Sequence, residues 1–310
     1  MKVAVAIALV ISLCALVSCG GSSSPAPQNT GLMTGNWQLN LTEGFPPPAT
    51  QISVGGFLVQ SNNSVTGSVQ GPTIVGGSGT APCGGISPFV GTISGQNISF
   101  SLNPGGTEFD FTGTVSSNGQ TMSGSYQALG GACLGVPTSG TWTGTQVPPL
   151  NGSFTGTLVS TEYMPAYTGL LGSSGIPISV SGSFTQSPNN GASNASLTGT
   201  ITAVGYPCFK TAYLSGTING QNVYLDVYDY SGVQIGTLGV PGSGGIAGSA
   251  TPATVVLGPT GVSLQGSAIA NSGLSVGNGT APSCPPIYKP DGTGTIVSGD
   301  TADVNFNFSF

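Results

Sequence analysis

The sequence predicts an all-β protein of two tandem antiparallel meander domains, on three observations. Apolar and polar residues alternate with period two along most of the chain, and no stretch carries a helical stripe. Turn signals recur about every 8–12 residues, at Ser61-Asn62-Asn63, Ser94-Gly95-Gln96, Ser117-Asn118-Gly119, Asn189-Asn190-Gly191 and Asn219-Gly220. The chain also repeats itself. Pro82-Cys83 followed by Gly91-Thr92-Ile93-Ser94-Gly95-Gln96-Asn97 returns 125 residues later as Pro207-Cys208 followed by Gly216-Thr217-Ile218-Asn219-Gly220-Gln221-Asn222. Gly119-Gln120-Thr121-Met122-Ser123-Gly124-Ser125 resembles Gly261-Val262-Ser263-Leu264-Gln265-Gly266-Ser267 at an offset of 142, so the second copy carries insertions.

The first repeat, 31–147, divides into eight strands near 36–42, 51–60, 63–70, 88–94, 96–103, 107–116, 120–127 and 138–146. Ile98-Ser99-Phe100-Ser101-Leu102 and its copy Val223-Tyr224-Leu225-Asp226-Val227 match apolar position for apolar position, which assigns one face to a core in both repeats. Phe109 and Phe111 alternate with Glu108 and Asp110. Eight sequential antiparallel strands can close an up-and-down barrel and abolish exposed edges. A pair of β-sandwiches is the alternative that the same alternation allows. The second repeat, 150–310, ends on Val304-Asn305-Phe306-Asn307-Phe308-Ser309-Phe310.

Two motifs resemble known barrels. Gly35-Asn36-Trp37 resembles the G-x-W that opens lipocalin and avidin-like barrels, and Gly152-Ser153-Phe154 opens the second repeat in the same way. Lipocalins bring an arginine against that tryptophan, and this chain has none. The last seven residues resemble the closing strand of outer-membrane barrels. Such barrels need strands of ~9–11 residues and aromatic girdles. The strands here are mostly shorter and aromatics are 7% of the chain, so the segment is expected to be the last strand of a second soluble domain.

Residues 1–19 read MKVAVAIALVISLCALVSC. Lys2 supplies a positive start, and Val3–Val17 is apolar apart from Ser12 and Cys14. That run is shorter than the ~20 residues of a spanning helix, as in a signal peptide covering 1–18. Leu16-Val17-Ser18-Cys19 resembles the bacterial lipobox. The resemblance implies diacylglyceryl transfer to the Cys19 sulfur, cleavage before it, and acylation of the new amino terminus. Residues 19–30, rich in Gly, Ser and Pro, form a tether that cannot build a core. Several acyl chains at ~0.8 kcal/mol per buried CH₂ make a stable membrane anchor. Gly20, not Asp, follows the cysteine, which by resemblance to diderm sorting rules favours the outer membrane.

Charged residues are 4% of the chain, and there is no histidine and no arginine. Once the leader is removed, Lys210 and Lys289 face nine Asp and Glu. A Ser-His-Asp or Cys-His nucleophile and a His-ligated metal are therefore excluded. Binding of nucleic acid, or of anionic lipid through a basic patch, lacks its cations. No Gly-rich stretch precedes a helix as a phosphate loop does, and no cofactor is expected.

Beyond Cys14 and Cys19 remain Cys83, Cys133, Cys208 and Cys284. Each repeat holds two at equivalent places, so the expected disulfides are Cys83–Cys133 and Cys208–Cys284. In the chain-entropy model, loops of this length contribute roughly 4 kcal/mol each.

The repeats differ on the non-core face. Where the first has Ser99, Ser101 and Asn103, the second has Tyr224, Asp226 and Tyr228, with Tyr230 continuing the face. Tyrosines spaced by two around a carboxylate suit stacking on, and hydrogen bonding to, a sugar or other small ligand; cross-strand packing is the alternative. Glu108 and Asp110 lie two apart, so their Cα atoms are ~6.5–7 Å apart, a pair of acids usable for glycan hydrolysis or calcium, or simply a solvated face. The expected protein is a lipid-anchored, non-enzymatic cell-envelope protein of structural or surface-display type. The alternatives are a barrel module binding a glycan or small apolar ligand, and a carboxylate-dependent glycan hydrolase.

Overall fold

The computed structural model describes residues 32–43, 51–74, 83–129, 139–160, 177–188, 191–206, 209–239, 253–259, 261–271 and 301–310. They form two closed eight-stranded antiparallel barrels in tandem, the meander predicted from the alternation and not the sandwich. Cys19, Cys133, Cys208 and Cys284 lie outside the described residues, as does the tether.

The first barrel comprises β1 (Gly35–Glu43), β2 (Gln51–Ser61), β3 (Ser64–Ile74), β4 (Cys83–Ser94), β5 (Asn97–Leu102), β6 (Phe109–Val115), β7 (Thr121–Ala128) and β8 (Ser139–Val147). Each strand pairs with the next, and β8 returns to β1 with Leu39 opposite Gly144 and Leu41 opposite Trp142. The strands fall near where the alternation placed them, except that β3 runs on to Ile74 and β4 starts at Cys83, each longer than expected at the end where the two pair. The added residues are in the ladder: Gly85 pairs with Gly71 of β3.

The second barrel comprises β9 (Gly152–Ser160), β10 (Pro177–Gln186), β11 (Ala195–Ala203), β12 (Thr211–Asn219), β13 (Asn222–Tyr228), β14 (Gln234–Leu238), β15 (Ala253–Gly258), β16 (Gly261–Asn271) and β17 (Thr301–Ser309). Nine strands fill eight places, because β14 and β15 share one. β14 pairs with the Leu225–Tyr228 half of β13, and β15 with Asn222 and Val223. Both then pair with β16. Asn222 opposite Thr254 repeats Asn97 opposite Thr114 of the first barrel. The insertion implied by the growing offset thus falls inside the sixth strand place. β17, built from the terminal alternating segment, pairs with β16 and β9 and closes the ring.

Both lumens are packed with side chains. In the first barrel Phe89, Phe100, Phe111 and Tyr126, from four consecutive strands, stack with centroids 4.3, 4.4 and 5.6 Å apart. Trp142 meets Phe100 edge-on at 5.1 Å. In the second, Phe154 stacks on Phe184 at 5.0 Å and on Phe308 at 4.6 Å. Each such ring stabilises by roughly 1.5–3 kcal/mol on burial. Mid-strand glycines make the room: a Cβ on Gly182 would stand 2.5 Å from the Phe154 ring. Hydroxyl pairs such as Thr92–Ser99 and Ser183–Thr200 line the outer walls. A membrane-spanning barrel has the opposite polarity, with an apolar band outside.

The barrels are clamped together. Asn36 and Gln38 point out from β1 but are only 3% exposed. The Asn36 amide donates to the Gly220 carbonyl at 2.8 Å and accepts from the Gly220 N–H at 2.9 Å. Gln38 accepts from the Gln221 N–H at 2.9 Å. The tip of the β12–β13 hairpin is thus held by two side chains of the first barrel. Phe57, outward-facing on β2, is buried in the core cluster of the second barrel, and its N–H donates to the Ala192 carbonyl.

Candidate functional site

The alternation that sends Val223, Leu225 and Val227 inward leaves Tyr224, Asp226 and Tyr228 on the outer wall of β13. Antiparallel register sets Tyr213 of β12 directly across from Tyr228, and Ser215 across from Asp226. Tyr230 follows β13 and packs edge-on against Tyr213, with centroids 5.1 Å apart. These two rings are 46% and 69% exposed.

The polar groups of this face are fixed by one another. Asp226 accepts from Gln234 Nε2 at 2.8 Å on Oδ1 and from the Tyr228 hydroxyl at 3.3 Å on Oδ2. The carboxylate of Asp226 raises the Tyr228 pKa above its ordinary value, with burial adding to the effect. Burial does the same to Tyr224. Asp229 holds the turn that carries Tyr230. Its Oδ1 accepts from the Ser231 hydroxyl and from the Ser231 and Val233 N–H groups, and these bonds hold its pKa below the ordinary carboxylate value.

The structure therefore gathers all four residues singled out from the sequence and adds Tyr213 and Gln234. The repeat offset held the signal for Tyr213: its counterpart in the first copy is Pro88. The same wall of the first barrel carries Pro88, Ser99, Ser101 and Asn103.

The paired acids sit elsewhere. Asp110 lies on the outer wall of β6 opposite Ser101, in a shallow groove of about 390 Å³ with Thr92 and Thr112. Glu108 precedes β6 and is exposed. Among the described residues no group of three or more His, Cys, Asp or Glu is placed to hold a metal ion. A cleft of about 580 Å³ runs between the barrels past Thr34, Pro148, Asn151 and Gln186. Its amides are engaged in the fold, with Gln146 donating to the Thr34 carbonyl and Gln186 accepting from the Leu150 N–H.

Of the cysteines, Cys83 opens β4, paired in the ladder with Ile74. By the up-and-down order, the end of β3 and the start of β4 lie at the same rim as the end of β7 and the start of β8.

Comparison with protein-family models, with curated proteins and with solved structures finds no match to this chain. Fold and site define the class instead: tandem closed β-barrels with packed lumens, the second bearing a tyrosine–carboxylate face on its outer wall.

Proposed function

We propose that this chain is a lipid-anchored, non-enzymatic protein of the bacterial cell envelope, a display scaffold that holds two solid barrels off the outer membrane. The observation that carries the reading is the packing of both lumens by stacked aromatic rings. A barrel filled in this way keeps its shape but gives up the interior as a ligand chamber, so its outer wall is the surface that meets other molecules. The lipobox-like Leu16-Val17-Ser18-Cys19 and the tether after it support attachment through Cys19. The absence of His and Arg from the chain supports a non-enzymatic role. Glu108 and Asp110 lend the hydrolase alternative no more than a solvated face.

Intact-mass measurement of protein extracted from membranes of a diderm host tests the anchor. The expected product begins at Cys19 and carries the diacylglyceryl and amide-linked acyl masses. Cys19→Ser is expected to lose both and to leave the membrane fraction. An unmodified Cys19 in membrane-extracted protein overturns the proposal.

A further inference from the structure

We infer that the outer wall formed by β12, β13 and the following turn is a binding site for a neutral saccharide chain. Three observations carry this beyond the scaffold role. First, the sibling barrel is an internal control. It closes the same eight-stranded ring with Pro88, Ser99, Ser101 and Asn103 at the equivalent places, so the fold does not require tyrosines there. Second, the face joins open aromatic surface to positioned hydrogen-bonding groups. Tyr213 and Tyr230 expose their rings while packing edge-on, and Asp226 is oriented by Gln234 and Tyr228. Each carboxylate oxygen spends one lone pair on those donors and keeps another for a ligand hydroxyl. Apolar ring faces beside fixed acceptors suit a sugar, which offers C–H faces and hydroxyl edges. Third, charge selects against ions. The chain has no arginine or histidine and Lys210, just before β12, is the only cationic side chain among the described residues, so an anion finds little to pair with, and the two carboxylates of the face, Asp226 and Asp229, are each already held by neutral donors.

Shape points to a chain and not an enclosed small molecule. Same-side residues of β13 recur every ~7 Å along the strand, and Tyr224, Asp226 and Tyr228 occupy three successive such places. The hairpin tip at Gly220 is clamped to the first barrel, and Tyr228, with Tyr213 across from it and Tyr230 after it, lies at the opposite end of β13, roughly 20 Å away by strand length, while Tyr224 lies nearer the tip. At that far end the Tyr213 and Tyr230 rings are open to solvent.

The test is affinity electrophoresis of the detergent-solubilised full chain through gels containing laminarin, glucomannan or dextran. Retardation by at least one polymer is expected. Tyr213→Ala and Tyr230→Ala are each expected to weaken it tenfold or more while the cooperative unfolding transition is kept, because neither side chain belongs to the lumen core. Ser101→Ala, at the matching place in the first barrel, is expected to leave it unaltered. No retardation by any of the polymers overturns the inference. So does retardation that survives both tyrosine substitutions, or saturable binding of tetramethylammonium in place of the polymers, which would mark a cation site. Cys19→Ser protein is expected to keep the binding, so failure of the anchor and failure of the saccharide site are separately visible.

Discussion

At the scale of single residues, the high glycine content becomes a packing device. An eight-stranded barrel has a lumen just wide enough for its own side chains, so each large ring needs a small neighbour. A Cβ on Gly113 would stand 2.2 Å from the Ser123 carbonyl oxygen and 2.8 Å from the Trp142 ring. Gly113→Ala is therefore expected to cost about 1–3 kcal/mol through overpacking, read as a lower midpoint in thermal or urea unfolding. The two repeats solve the same constraint with opposite choices. At one seam position the first barrel sets Leu39 against Gly144, while the second sets Gly156 against Phe308. Asp229 makes a second prediction. Its hydrogen bonds to Ser231 and Val233 depress its pKa below 3.8, so the stabilisation is present above that value and is lost as pH falls through the depressed pKa. The Ser231 and Val233 amide resonances should shift together in one acid step below pH 3.8, and Asp229→Asn should abolish that step.

At the scale of elements, the hairpin tip and its two amide clamps hold the barrels together. Asn36→Ala strands the Gly220 N–H and carbonyl in a buried place, at an expected cost of about 1–3 kcal/mol. Hydrogen exchange at the Gly220 and Gln221 amides should accelerate while the lumen-facing strands keep their protection; unchanged exchange there would contradict the clamp. This contact was not legible in the sequence. Asn36 and Gln38 alternate with Trp37 and Leu39 as solvent-facing residues do, and their partners lie over 180 residues away. Phe57 gave a readable sign, since Phe57-Leu58-Val59 breaks the alternation, and adjacent apolar residues in a strand mean both faces are covered. The strands of the first repeat were legible because one wetted wall and one packed wall leave a strict period of two. The sixth place of the second barrel was half legible. The offset disclosed an insertion, but only the ladder places it between β14 and β15. At the candidate face, the repeat comparison exposed the tyrosines of β13; the same offset marks Tyr213 against Pro88, but only the cross-strand register shows that it joins that face.

At the scale of the whole molecule, two packed barrels share a junction and leave their other walls to solvent. The expected disulfides Cys83–Cys133 and Cys208–Cys284 each stay within one repeat, so they would brace each barrel separately. Non-reducing peptide mapping should recover those two pairs; a Cys83–Cys208 peptide would contradict the assignment. The scaffold role rests on barrels that are filled, not hollow. The most direct measurement is titration of the full chain with a fluorescent fatty acid, the kind of apolar probe that a hollow barrel takes into its lumen. Packed lumens predict no saturable uptake at any probe concentration below self-association. Saturable binding of one or two molecules per chain, lost when lumen residues such as Phe100 or Phe184 are replaced by larger Trp, would mean that a barrel holds a cavity and would contradict the account.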